Sequence, residues 1–146
     1  MVAPVLWQSV GVPEQFTEVW RQELRSSPDL ARLRARLRTE LTGSSTVVDP
    51  EREQWSERMV LVVDELASNA LRHGGAPVSA TLSRSGDDWL IAVRDTAAGT
   101  PPRLAEGRDP ARGGFGLYLV ADLTHRRGWW TTPREKVVWA VVSASG

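Results

Sequence analysis

Leu30, Leu33, Leu37 and Leu41 recur at intervals of three and four residues, the period of a helix with one apolar face. Ser27 and Pro28 precede them, with Ser at the N-cap and Pro in the first turn, where its missing N–H is not needed. A longer helical pattern starts at Asp49-Pro50, carries Glu51 and Glu53 in its first turn, and continues through Trp55 to His73. Gly74-Gly75 end it. The period then changes to two. Val78, Ala80 and Leu82 alternate with Ser79, Thr81 and Ser83, which predicts a half-buried strand over Pro77 to Arg84. Ser85 to Asp88 (SGDD) reads as a hairpin turn and Trp89 to Asp95 (WLIAVRD) as the partner strand. Arg127 to Thr132 and Lys136 to Ser143 form two more strands around a turn at Pro133–Glu135. Between the two strand pairs lies Thr96 to Arg112, a loop longer than usual connections. Gly113 to Thr124 follows, opening on three glycines and becoming helical through Leu117, Val120, Ala121 and Leu123.

Two stretches are less regular. Thr17 to Arg25 is either a short strand, with Trp20, Gln22 and Leu24 on one side, or a helix begun at Pro13. Met1 to Phe16, with Pro4, Gly11 and Pro13, reads as an extended arm or irregular edge segment. The element order predicts an α+β fold, a two-layer α/β sandwich with helices on one face of a mixed, mostly antiparallel sheet. One domain is expected over residues 17–146, preceded by an arm over 1–16.

Composition narrows the function. The 146 residues are 41% hydrophobic and 25% charged, as in ordinary globular domains, and the formal net charge is +0. That charge balance argues against non-specific attraction to nucleic acid or anionic membrane, so neither is expected as a partner. No apolar run approaches the roughly 18 residues needed to span a bilayer, and no signal-peptide core is visible, so a cytoplasmic protein is expected. The absence of Cys excludes disulfides, thiolate nucleophiles and Cys–zinc sites. The only two histidines, His73 and His125, exclude a multi-His metal site. Seven tryptophans point to core and sheet packing, or to one at a partner surface. Arg32, Arg34, Arg36 and Arg38 make either a solvated helix face or a docking surface for an acidic partner.

The chemistry concentrates in three places. Glu65 and Asn69 stand four residues apart, one above the other on an otherwise apolar helix. Burying them unpaired would cost roughly 2–7 kcal/mol, so they face either solvent or a cavity. Asp95 ends an apolar strand and is followed by Gly99 (DTAAG). Gly113-Gly114-Phe115-Gly116 opens a helix. Glycines at a helix N-terminus let backbone N–H groups approach phosphate oxygens. An Asp at a strand end can accept a hydrogen bond from an exocyclic amine such as adenine N6. Asn69 can offer an oxygen to Mg²⁺ that phosphates also hold, and Glu65 could activate a hydroxyl or water. The pattern is neither a P-loop nor a dinucleotide fingerprint, and protein-kinase motifs are absent.

ELASNALRHGG, RDTAAG and GGFGLYLV, in this order and spacing, resemble the N, G1 and G2 boxes of the GHKL (Bergerat-fold) ATPase superfamily, which includes gyrase B, histidine kinases and MutL. Within it, the short chain, the ELxxNAxRHG form and the KVVWAVV ending resemble the anti-sigma-factor serine kinases of the RsbW and SpoIIAB type. The resemblance implies ATP and Mg²⁺ as cofactors. It implies Asn69 as the Mg²⁺ ligand, Glu65 as the general base, Asp95 as the adenine-reading carboxylate and Gly99 as the glycine that lets the base approach. Gly114 and Gly116 would contact phosphates, with Gly113, Phe115 and Leu117 beside them, and 96–112 would be the ATP lid. Arg72, His73 and Arg112 would lie near the phosphates. The family often has Thr or Ser at the last-but-one strand position that completes adenine recognition. Here the aligned residue is Val137, which leaves that recognition to Asp95. The function implied is a serine kinase that phosphorylates an anti-anti-sigma (STAS) partner and sequesters a sigma factor, commonly as a homodimer. The alternative is a non-catalytic, nucleotide-sensing or nucleotide-free binding module of the same fold. A histidine-kinase catalytic domain, detached from its phosphoacceptor helices, is a third reading.

Overall fold

The computed structural model describes residues 9–42, 49–98, 124 and 126–143. Two helices, α1 (Ser27–Thr42) and α2 (Pro50–His73), cover one face of a five-stranded sheet. The strands are β1 (Thr17–Leu24), β2 (Val78–Ser85), β3 (Asp88–Asp95), β4 (Arg126–Thr131) and β5 (Lys136–Ser143). Their spatial order is β1-β2-β3-β5-β4. All four ladders are antiparallel, and an isolated bridge between Ser9 and Trp129 is parallel. The expected sandwich is therefore present, with a sheet more uniformly antiparallel than the mixed one expected. Of the two readings of Thr17 to Arg25, the strand is the one adopted, with Trp20 and Leu24 buried against the helices. The helix expected after Gly113 lies outside the described residues.

The long helix forms where the sequence places it. Asp49 caps it, its carboxylate accepting from the backbone N–H groups of Glu51 and Arg52. Pro50 occupies the first turn, and Gly74 closes the other end by donating its N–H to Ala70 O at 2.7 Å. Leu30, Leu33, Leu37 and Leu41 are all buried, as their spacing requires. They meet Met59, Val62, Val63 and Leu66 of α2 and, from the sheet, Ala80, Leu82, Ile91, Val93, Val138 and Ala140. Each fully buried leucine contributes about 1.5–3 kcal/mol of transfer free energy.

The arginines of α1 are neither a free solvated face nor a bare docking surface. Arg34 Nε donates to Asp64 at 2.7 Å and Arg38 Nε to Glu57 at 2.8 Å, so both clasp α2. Arg36 lies 4.6 Å from the centre of the Trp20 ring, and Arg32 pairs with Asp29. Their charge is thus largely answered within the chain.

The opposite face of the sheet has its own apolar cluster: Leu90, Ala92, Val137, Trp139 and Val141. Val12 and Phe16 pack on it, which gives the N-terminal arm a place in the fold. Val10 fixes the arm through its backbone. Its N–H donates to Trp129 O at 2.9 Å and its carbonyl accepts from Trp139 Nε1 at 3.0 Å. Gly128 makes the crossing possible, since a Cβ there would sit 2.5 Å from Val10 Cγ1 and 2.8 Å from Trp139 Cζ2. Most described tryptophans serve packing; Trp130 is the exposed one, at 47%.

Candidate functional site

Glu65 and Asn69 are both half-buried on α2, among Val62, Val63, Leu66, Ala67 and Ala70, which are buried. A carboxylate in such surroundings loses hydration. Burial accordingly raises the Glu65 pKa, the neighbouring Asp64 charge raises it further, and Arg72 opposes both. Glu65 thus holds a proton more tightly than an ordinary glutamate, the direction that suits a general base. Arg72 is exposed and turns back onto its own helix, its Nε donating to Ser68 O at 3.3 Å. His73 is half-buried in the last turn.

The C-terminal end of α2 rests on Asp95. A Cβ on Gly74 would lie 2.5 Å from the Asp95 Cγ and 2.7 Å from Ala70 O, so only glycine fits between helix and carboxylate. Gly74 has ordinary φ, so the requirement is one of space. The next residues lock the strand end to the helix end. Thr96 N–H donates to Gly75 O at 2.9 Å, and Thr96 Oγ1 donates to Ala76 O at 3.1 Å. From Gly74, Asn69 lies about 7.5 Å and Glu65 about 13.5 Å back along the axis, at about 1.5 Å per residue. Asn69 and Glu65 therefore follow one another along α2, behind the helix end that rests on Asp95.

Asp95 is 2% exposed. Its Oδ1 accepts from the Ala97 N–H at 2.7 Å, while its buried Oδ2 has no hydrogen-bond donor among the described residues. Lys136, equally buried, places its Nζ 3.7 Å from that oxygen. An orphaned buried acceptor of this kind costs about 1–3 kcal/mol, more for a charged group, unless a ligand completes it. A ligand N–H donor, such as an exocyclic amine, would do so.

Lys136 is the residue that sequence reasoning missed, and Val137 is a correction. β3 and β5 pair with Asp95 opposite Lys136 and Arg94 opposite Val137. Directly opposed residues share a face, so Lys136 lies with Asp95 on the helix side. Val137 packs with Leu90 and Trp139 on the outer side and cannot line the same site. KVVWAVV carries no alternation to reveal this, because the strand is buried on both faces. A usable signal was present: Lys136 is the only lysine in a chain with seventeen arginines.

Of the remaining expected site residues, Gly99, Arg112, Gly113, Gly114, Phe115, Gly116 and Leu117 lie outside the described residues, as does the lid beyond Ala98. Two surface cavities are present among the described residues. One of about 710 Å³ lies where α1 ends beside the start of α2, and one of about 470 Å³ lies beside Leu71, Gly74 and Val78. Neither includes Glu65, Asn69 or Asp95. Among the described residues no group of three His, Cys, Asp or Glu could hold a metal ion unaided. A Mg²⁺ near Asn69 would accordingly depend on phosphate oxygens, the usual arrangement for that ion. No described helix is long and apolar enough to cross a membrane.

Residues 25–142 match the histidine kinase-like ATPase domain, and the chain belongs to that family. It is a GHKL-type ATP-binding domain, of the kind found in histidine kinases. Two relatives are similar over part of the chain. The signal transduction histidine-protein kinase AfsQ2 of Streptomyces coelicolor is 29% identical over 83 residues, which cover 49% of this chain and 16% of that protein. The sensor protein CitS of Halalkalibacterium halodurans is 28% identical over 103 residues, covering 61% and 19%. The chain thus matches less than a fifth of the length of either relative. Among solved structures, the Acinetobacter baumannii histidine kinase AdeS aligns with a TM-score of 0.47 at 17% identity, over 62% of this chain and 48% of that one.

Proposed function

We propose that this domain binds Mg·ATP and acts as a cytoplasmic, homodimeric anti-sigma-factor-type kinase. In this reading it phosphorylates a serine of a STAS-domain antagonist and, in the alternative complex, sequesters a sigma factor. The observation that carries the kinase reading is Glu65, a half-buried carboxylate with raised proton affinity, one helical turn from Asn69. Asp95 would hold the adenine amine through its orphaned Oδ2, and Asn69 would help hold Mg²⁺. When bound, Mg·ATP supplies the γ-phosphoryl group. The work of the chain's own residues is to position and to move one proton. Glu65 accepts the hydrogen of the acceptor serine hydroxyl as the serine oxygen bonds to phosphorus and the bond to the ADP oxygen breaks.

The test is transfer from labelled ATP to the cognate partner, with Asn69→Ala and Glu65→Ala beside the wild type. Asn69→Ala is expected to lose Mg·ATP binding, whereas Glu65→Ala keeps binding and loses transfer. Equal loss of binding in both contradicts the separate roles. ATP binding without transfer to any partner favours the non-catalytic module.

The relatives favour a second reading, the catalytic domain of a histidine kinase. Its acceptor would be a histidine on separate helices. Acid stability of the phosphorylated product separates the two, since phosphoserine survives acid and phosphohistidine does not.

A further inference from the structure

The helix-side face of the sheet ends in a matched pair of opposite charges. Asp95 and Lys136 stand directly opposite in the β3–β5 ladder, and the next pair on that face, Val93 and Val138, enters the core beneath α2. Both charged side chains are at most 3% exposed. Their separation of 3.7 Å is longer than the about 2.7–2.9 Å of a charge-assisted hydrogen bond. The two groups therefore balance each other's charge without satisfying the Asp95 Oδ2. The site holds a fixed acceptor beside an ammonium that carries three donors. Nothing else within the strand explains a buried lysine: its neighbours Val137 to Val142 are all apolar, and elsewhere the chain uses arginine for its surface pairs.

The Watson–Crick edge of adenine presents a donor, the N6 amino group, beside an acceptor, N1. An acceptor and a donor held side by side are its complement. We propose that Lys136 is a base-reading residue of the nucleotide site, donating to adenine N1 while Asp95 accepts from the N6 amine. This rests on the ATP-binding reading above and adds to it a specificity-determining residue. The second contact thus comes from the strand residue that shares a face with Asp95, not from position 137, which faces the other way.

Calorimetric titration of the full chain with ATP, GTP and 1-deaza-ATP tests this. 1-deaza-ATP keeps the N6 amine and lacks the N1 acceptor. The wild type is expected to bind it at least tenfold more weakly than ATP, and to bind GTP more weakly still. Lys136→Met is expected to bind ATP about tenfold more weakly and to no longer distinguish ATP from 1-deaza-ATP. Equal wild-type affinity for ATP and 1-deaza-ATP overturns the role of Lys136 while leaving the ATP site standing. Discrimination that persists in Lys136→Met overturns it too, as does GTP binding as tight as ATP. Failure of the wild type to bind any of the three overturns both this proposal and the ATP reading. The wild-type comparison decides the matter even where Lys136→Met does not fold.

Discussion

At the residue scale, the Asp95–Lys136 pair has a stability consequence separate from any ligand. Both groups are buried, so removing one leaves a charge without compensation. Lys136→Met is expected to cost about 3–5 kcal/mol in unfolding free energy, whereas Asp95→Asn with Lys136→Met recovers much of that loss. Urea denaturation of the two singles and the double measures it; strictly additive losses contradict a coupled pair. Glu65 behaves differently. Its folded pKa is raised, so the native state binds its proton more tightly than the unfolded chain does. Its contribution to stability is therefore greatest below the usual glutamate range and is lost as pH rises through the raised value. The stability of wild type relative to Glu65→Gln is expected to fall over that interval, read from urea midpoints at a series of pH values. A wild type that gains on Glu65→Gln as pH rises contradicts the assignment. The spacing of Glu65 and Asn69 was legible in the sequence because a four-residue interval fixes a shared face whatever the tertiary fold. The partner of Asp95 was not, because it depends on the register of two strands separated by residues 96–135.

At the scale of elements, the decisive contact is the end of α2 against the end of β3. Gly74→Ala places a methyl group 2.5 Å from the Asp95 carboxylate carbon and 2.7 Å from the Ala70 carbonyl oxygen, which is helix backbone and cannot yield cheaply. It is expected to lower stability by about 1–3 kcal/mol and to weaken nucleotide binding as Asp95 is displaced. A thermal melt with and without ATP checks both effects; an unchanged melting temperature rules out the tight fit. At the other end, Asp49→Ala removes the cap and is expected to cost about 1 kcal/mol with binding unaffected. The Asp and Pro start signals and the Gly-Gly stop marked α2 in the sequence, since caps act through neighbouring backbone groups, whereas Ser27, expected at the N-cap of α1, is already its first helical residue. Thr17 to Arg25 stayed open between strand and helix because β1 is an edge strand with few buried positions. Its pairing with β2 chose between them.

At the scale of the whole molecule, the sheet has two covered faces, with the helices on one and the arm on the other. Deleting residues 1–16 would uncover Leu90, Ala92, Val137, Trp139 and Val141 and leave Trp139 Nε1 without its acceptor. The truncated chain is expected to melt at a lower temperature and to bind a hydrophobic dye that the full chain does not. Equal dye binding by both contradicts the arm's role as a cover. The layered architecture was legible from periodicity, because the order of helical and alternating segments limits how faces can be covered. The arm's position was not, since an irregular segment has no period and is placed only by what it lies on.

β3 and β5 are neighbours in the sheet although residues 96–135 separate them along the chain. Joining them requires the closure of a long loop, and that entropy grows only logarithmically with length, about 0.6 kcal/mol for each doubling. β4 lies within that interval and pairs with β5, so the same closure also brings the outer strand of the sheet into place. The rate of folding is the quantity more exposed to this separation, because the central pairing is non-local.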